Sequence, residues 1–398
     1  MPNGLRCVHI PSTSEVEYLG VAVNVGSRDD AAGLEGLAHF VEHTIFKGTA
    51  RRKSWHIINR MESCGGELNA YTTKETTVVY SVFPTGNTSK AADLIADLIT
   101  ESLFPQREID REREVVADEI SSYLDIPSES IYDDFEDIMF QGTGLGHNIL
   151  GNKESLNRFT PEICRRYLSD YYTAPNMVLF YSGQSSPDQM VRMAMRYFQQ
   201  LPAGQAPLKR IQPMEATPFD IEQNRHIHQA HTIIGTVTPG MFSPQRHAIA
   251  LAANIIGGPG MNSMLNVELR EKRGLVYSVE ASCAMMTDCG LFSLYFGCDP
   301  EDLARCRRII SGTMSRLADS PLSPIRLAKA KKQYLGQITV AGDNRESSVL
   351  SAARAVLYHG RPLTPAQRAE IVQSLTADDL MQAARLLAPS GLSTLIFR

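Results

Sequence analysis

The two halves of the chain repeat one another in outline. Each opens on a strand-like run, YLGVAVNVGS at 18–27 and HTIIGTVTPG at 231–240. Each continues into an apolar helical pattern, GLAHFVEHTIFKG at 36–48 and RHAIALAANIIGG at 246–258. Each then passes a glycine-containing turn into another strand, GGELNAYTTKETTVVYSV at 65–82 and RGLVYSVEASC at 273–283. A single shift of 208 residues lays His39 on His247 and Gly66 on Gly274. One offset serving two separate features points to a duplicated unit. Between the halves, LPAGQAPLKRIQPMEATPF at 201–219 is rich in Pro and Ala and lacks apolar periodicity, so it reads as a linker. Long charged helical stretches follow in both halves, at 107–124, 301–317 and 324–338. The expected architecture is α+β, with two homologous sheet-plus-helix domains at 1–204 and 220–398 joined through 205–219.

Bulk properties exclude several classes of function. The net charge is -5 and no basic tract offers a nucleic-acid footprint. No run of about 18 apolar residues is present, so no membrane span is expected. The opening MPNGLRCVHIPS lacks a charged segment followed by an apolar one, so the sequence as given reads as not secreted. Seven cysteines at irregular spacings, with no CxxC pair, read as reduced thiols of a cytoplasmic protein rather than as a disulfide framework.

The chemistry is concentrated in HFVEH at 39–43. The surrounding residues 33–47 read as a helix, with Gly48 as a stop. One helical turn separates His39 from His43, so both imidazoles share a face and can converge on one cation. Glu42 sits at the edge of that face, near where a water would bind. The alternative is a pair of satisfied core histidines. The duplication speaks against it, because the same shift sets Ala250 against Glu42 and Leu251 against His43. The second half keeps the scaffold and lacks the polar cluster. A catalytic zinc needs three protein ligands and one open position. DREREVVADEISSYLD at 110–125 is a second helical pattern, with Glu112 and Glu119 two turns apart on one side. Either carboxylate could complete the set, and the other could hold a ligand or a water. His226, His228 and His231 in RHIHQAHT look like a further cluster, but nothing acidic joins them, and they read as an exposed strand near the linker.

HFVEH followed by EREREVVADEI resembles the pitrilysin/insulysin family of inverted-zincin metallopeptidases, in its short, processing-peptidase-like branch. GHNILGNKESLNRFT at 146–160, LREKRGLVYSV at 269–279 and GGPGMNS at 257–263 are similar to further family stretches, and the resemblance covers nearly the whole chain. It implies one zinc ion per chain, held by His39, His43 and Glu119, with Glu42 as general base and Glu112 supporting the site. It also implies that 67–72 binds peptide along a sheet edge, with Asn69 and Ala70 as the chosen contacts. Gly257 and Gly258 would belong to a substrate-binding loop. Arg270 and Tyr277 would serve the substrate carbonyl from an otherwise inactive second domain. The implied assembly is a homodimeric clamshell, or a heterodimer with a related subunit, acting on peptides or unfolded segments. The competing expectation is a non-catalytic subunit of the same fold, acting in binding or assembly.

Overall fold

A computed structural model of the chain describes residues 1–213 and 217–398. Of the expected linker 205–219, residues 214–216 lie outside the described residues. The chain forms two compact units, each discontinuous in sequence. The first comprises Met1–Ser122, His147–Ile211 and Gly342–Pro362; the second comprises Tyr123–Gly146, Gln212–Ala341 and Leu363–Arg398.

The first unit contains strands β1 (Arg6–Pro11), β2 (Val16–Val23), β3 (Glu67–Thr72), β4 (Thr77–Pro84) and β5 (Met177–Gly183). Its helices are α1 (Leu37–Thr44), α2 (Ser54–Glu62), α3 (Thr88–Glu101), α4 (Gln106–Leu124), α6 (Lys153–Leu156), α7 (Pro161–Tyr171), α8 (Pro187–Phe198) and α12 (Arg345–His359). The sheet order is β1-β5-β2-β4-β3, with β1 parallel to β5 and the other pairs antiparallel. Period-two alternation divides β2 between two cores. Leu19, Val21 and Val23 face one core with Phe40 and Val41 of α1, Leu94 and Ile95 of α3 and Val116 of α4. Tyr18 and Ala22 face the other, with Val349, Ala353, Val356 and Leu357 of α12. Gly20 lies between them because a Cβ there would come within 2.4 Å of Tyr80 and 2.5 Å of Phe180.

The second unit repeats this plan with β6 (Asp220–Gln223), β7 (Ala230–Pro239), β8 (Val276–Met285), β9 (Cys289–Cys298) and β10 (Ser393–Phe397). Its order is β6-β10-β7-β9-β8, and again only the first pair is parallel. Its helices are α5 (Pro127–Met139), α9 (Arg246–Gly257), α10 (Leu303–Asp319), α11 (Pro324–Ala341), α13 (Pro365–Ser374) and α14 (Ala377–Leu386). Residues of α9, α10 and α14 pack on one face of the sheet. Ile131, Phe135 and Met139 of α5 cover the other.

Two helices depart from the expected division at 204–220. Residues 123–146 belong with the second unit and 342–362 with the first. The physical reason is burial: each sheet has two apolar faces, and the second face of each is covered by the helix from the other half of the sequence. The expected helix 33–47 is also shorter, at Leu37–Thr44, because Gly33 and Gly36 adopt left-handed φ of 82° and 91°. The strand expected to carry two histidines is not formed: 224–229 is a loop, with His226 at φ 54°. None of the seven cysteines forms a disulfide among the described residues. No helix among them is long and apolar enough to cross a membrane.

Candidate metal centre

Helix α1 starts abruptly, and Asp30 fixes its start. The Asp30 carboxylate accepts from Gly36 N at 2.8 Å and Ala38 N at 3.0 Å, satisfying donors that a helix N-terminus leaves open. Burial raises the Asp30 pKa well above the usual carboxylate range, opposed by those backbone donors. From this start Leu37, Ala38, Phe40 and Val41 face the core, and His39, only 8% exposed, and His43 stand one turn apart. Their ring centroids are 4.5 Å apart.

Helix α4 supplies the carboxylates. Ile109, Val116 and Ile120 anchor it in the core. The seven-residue spacing turns both Glu112 and Glu119 towards α1, but at different depths. Glu112 is buried and accepts from His43 Nδ1 at 3.0 Å, while Lys47 Nζ lies 2.8 Å from its other oxygen. It does not pair with Arg111 or Arg113, as a residue of a solvated face would; those arginines meet Glu108 and Asp110. Glu119 is half-exposed, with Oε2 3.5 Å from His43 Nε2 and 3.9 Å from His39 Nε2. His39, His43 and Glu119 each offer one ligand atom, and these atoms all lie within 4.8 Å of one another. No other such group of three occurs among the described residues, the histidines at 226–231 included.

The electrostatics separate the roles. Burial, with a smaller contribution from the neighbouring His43 charge, pulls the His39 pKa down to about 3, so His39 is a neutral imidazole at physiological pH. Burial also lowers His43, but the Glu112 hydrogen bond and the charges of Glu119, Glu112 and Glu42 outweigh it, and the net shift is upwards. Burial acts to raise Glu112, yet the hydrogen bonds from His43 and Lys47 prevail and hold it below its ordinary value. Glu112 is therefore ionised and can only accept, which makes Nδ1 of His43 the donor; in the neutral ring this places the lone pair on Nε2, facing Glu119. Glu42 is shifted the other way: burial raises it and Glu119 adds to that, against Thr72 and His43. Its Oε2 is buried without a hydrogen-bond partner, as is Nδ1 of His39.

The edge strand β3 lies beside this cluster, with Leu68 and Ala70 packed on the core that contains α1. The turn bond from Thr73 N to Thr76 O, at 2.8 Å, sets the hydrogen-bonding phase of the β3–β4 hairpin. Antiparallel alternation then directs the main-chain groups of Glu67, Asn69 and Tyr71 inward to β4. Those of Leu68, Ala70 and Thr72 point to the open edge. The Asn69 side chain lies 3.5 Å from Glu67 Oε2.

The remaining expected residues lie in the second unit. Tyr277 falls at the register shift between Val276 and Ser278, which turns it outward to 60% exposure rather than into a core. Its hydroxyl donates to Asp299 at 3.3 Å. Arg270 is exposed on a π-type turn, Asn266–Glu271, that leads towards β8. Gly257 ends α9 where a Cβ would come within 2.9 Å of Ala281, and at Gly258 one would come within 2.5 Å of Asn254. These glycines have a packing reason to be small.

Sequence reasoning passed over Lys47 and Asp30. Lys47 carried a readable signal, since it lies one turn beyond His43. Asp30 is six residues before the chain position it caps, and no local pattern marks it.

The donor set fits a zinc ion: two neutral-capable imidazole nitrogens and a carboxylate converge, one imidazole is oriented by a carboxylate, and a buried carboxylate oxygen stands unpartnered beside them. A family model described as insulinase (peptidase family M16) matches residues 7–153, and one described as the peptidase M16 inactive domain matches 158–334. An uncharacterized zinc protease of Streptomyces coelicolor is 30% identical over 97% of this chain and 85% of its own length. One of Bacillus subtilis is 28% identical over 98% and 97%. Among solved structures, a protease from Helicobacter pylori superposes with a TM-score of 0.92 at 20% identity, covering 100% of this chain and 97% of its own. A peptidase M16 inactive domain from Pseudomonas fluorescens gives 0.91 at 19%, covering 99% and 95%.

Proposed function

The chain belongs to the insulinase family, peptidase family M16, and on that premise we propose that it is a zinc metallopeptidase acting on peptides or unfolded segments. The observation that carries this reading is the convergence of His39, His43 and Glu119 beside a buried, unpartnered Glu42 oxygen. His39 Nε2, His43 Nε2 and Glu119 would hold one zinc ion per chain. Zinc bound there supplies Lewis-acid polarisation of the scissile carbonyl and of a water molecule. Glu42, whose burial raises its affinity for a proton, accepts the water proton and passes it to the leaving amine. Glu112 keeps the His43 ring in one tautomer and orientation. The peptide main chain adds to the open edge of β3, at Leu68, Ala70 and Thr72.

Arg270 and Tyr277 are assigned to the substrate carbonyl, contributed by a second copy of the chain in a homodimer. The exposure of Tyr277 supports that assignment. The test is metal content per chain together with cleavage of a peptide mixture by purified wild-type protein and Glu42→Gln. The variant should retain zinc and lose turnover. Substantial residual cleavage would remove Glu42 as the base, and wild-type protein that binds zinc and cleaves nothing would favour the non-catalytic or obligate-heterodimer reading. Restored activity on mixing Glu42→Gln with Arg270→Ala chains would support sites shared between copies.

A further inference from the structure

Four charged side chains of the first unit form a network with little access to water. Arg210 grips Asp29 bidentately, Nε to Oδ1 and Nη2 to Oδ2, both at 2.9 Å. Its Nη2 also donates to the carbonyl of Glu75 at 3.2 Å, and Nη1 lies 3.5 Å from Glu75 Oε1. Arg28 Nη1 donates to Glu75 Oε1 at 2.7 Å, and its Nη2 to the carbonyl of Ile211 at 3.0 Å. The side chains are 1% (Arg28), 2% (Asp29), 6% (Glu75) and 12% (Arg210) exposed. At this depth, removing Arg210 takes both fork hydrogen bonds from the buried Asp29 carboxylate, a loss that water does not readily make good.

What the network joins gives it meaning. Glu75 is in the turn between β3 and β4. Asp29 ends the short turn Ser27–Asp29, next to Asp30, which fixes the start of α1. The two turns already touch along their main chains, Ser27 N to Thr73 O at 3.1 Å and Arg28 N to Lys74 O at 2.9 Å. Gly26 permits that approach, since a Cβ there would come within 2.2 Å of Thr73 O. Tyr358 of α12 donates to the Glu75 carbonyl at 3.0 Å from another side. Arg210 itself comes from the connector towards the second half, far from all of these in sequence.

We propose that Arg210 is a positioning residue, stapling the tip of the β3–β4 hairpin to the turn that leads into α1. The open edge of β3 and the side chains of α1 then keep one relative placement. The inference rests on the reading of β3 as the substrate strand and α1 as the zinc helix. It is tested on the full-length protein with Arg210→Ala and Arg210→Lys, by hydrogen exchange over residues 67–84, zinc content, thermal unfolding, and kcat and KM on a peptide.

In Arg210→Ala, exchange at the hairpin turn should accelerate by about tenfold or more. kcat/KM should fall by about tenfold or more with zinc content unchanged. Arg210→Lys keeps the charge but loses the planar fork, so it should fall between Ala and wild type. Added guanidinium ion should partly restore the Ala variant. Should Ala not fold, the Lys variant carries the same test. Wild-type exchange and kinetics in the Lys variant, or an activity loss matched in full by the unfolded fraction, would overturn the proposal. A wild-type chain that cleaves no peptide would sink the hydrolytic reading, while exchange at the hairpin would still judge the staple.

Discussion

Glu112 and Glu119 come from one helix face and do different things because of depth. Glu112 is enclosed between His43 and Lys47, and Glu119 reaches the open side. Glu112→Gln keeps the shape and removes the charge that orients His43. It should weaken zinc binding by about 10- to 100-fold, read by competition with a chelator. Unchanged affinity would show that the His43 ring needs no such partner. The spacing of these glutamates was legible in the sequence, but their depth was not, because depth depends on which elements cover α4. Asp30 offers a pH test. Burial sets its folded pKa above the unfolded value, so the folded state binds the extra proton between the two. Its contribution to stability is therefore full below the unfolded value of about 4 and declines as pH rises through the folded one. Asp30→Asn cannot titrate, so its stability relative to wild type should improve as pH rises above the unfolded value, measured by urea unfolding. A difference independent of pH would contradict the assigned shift. Asp30→Ala, which orphans two buried donors, should cost about 1–3 kcal/mol.

At the level of elements, β3 is bonded on one side only, and that makes a sharp contrast available within two adjacent residues. Proline removes a backbone donor and is tolerated at an edge where that donor faces outward. Ala70→Pro should thus keep most of the thermal stability and raise KM, whereas Asn69→Pro breaks a bond to β4 and should lower Tm. Equal loss of stability in both would reverse the phase deduced from the Thr73–Thr76 turn. The existence of β3 was readable from its strand-like composition and the glycines before it. Its place at the sheet edge was not, since strand order is a long-range outcome: β5 enters between β1 and β2 from some 160 residues later in the chain.

For the whole molecule, the two helices that cover the far faces of the sheets decide how the halves can be separated. A fragment of residues 1–211 lacks α12, and so uncovers Tyr18, Val78, Tyr80, Val178 and Phe180. It should be poorly soluble or bind an apolar dye strongly, and lose near-ultraviolet dichroism, while the full chain does neither. A well-packed, soluble fragment would show that this face needs no cover. The sequence by itself determined what repeats at short range: the helical spacing of His39, Glu42 and His43, the two-turn spacing of Glu112 and Glu119, and the duplicated order of strands and helices. Helix and strand periods are set by backbone geometry, so adjacent residues suffice to read them. Only the tertiary structure decided that Glu119 comes within reach of both imidazoles, that Glu112 lies beneath His43, that α5 and α12 cross the expected boundary, and that Arg210 reaches Asp29 and Glu75. Those pairings follow from how apolar faces are buried against one another, which depends on the whole chain at once.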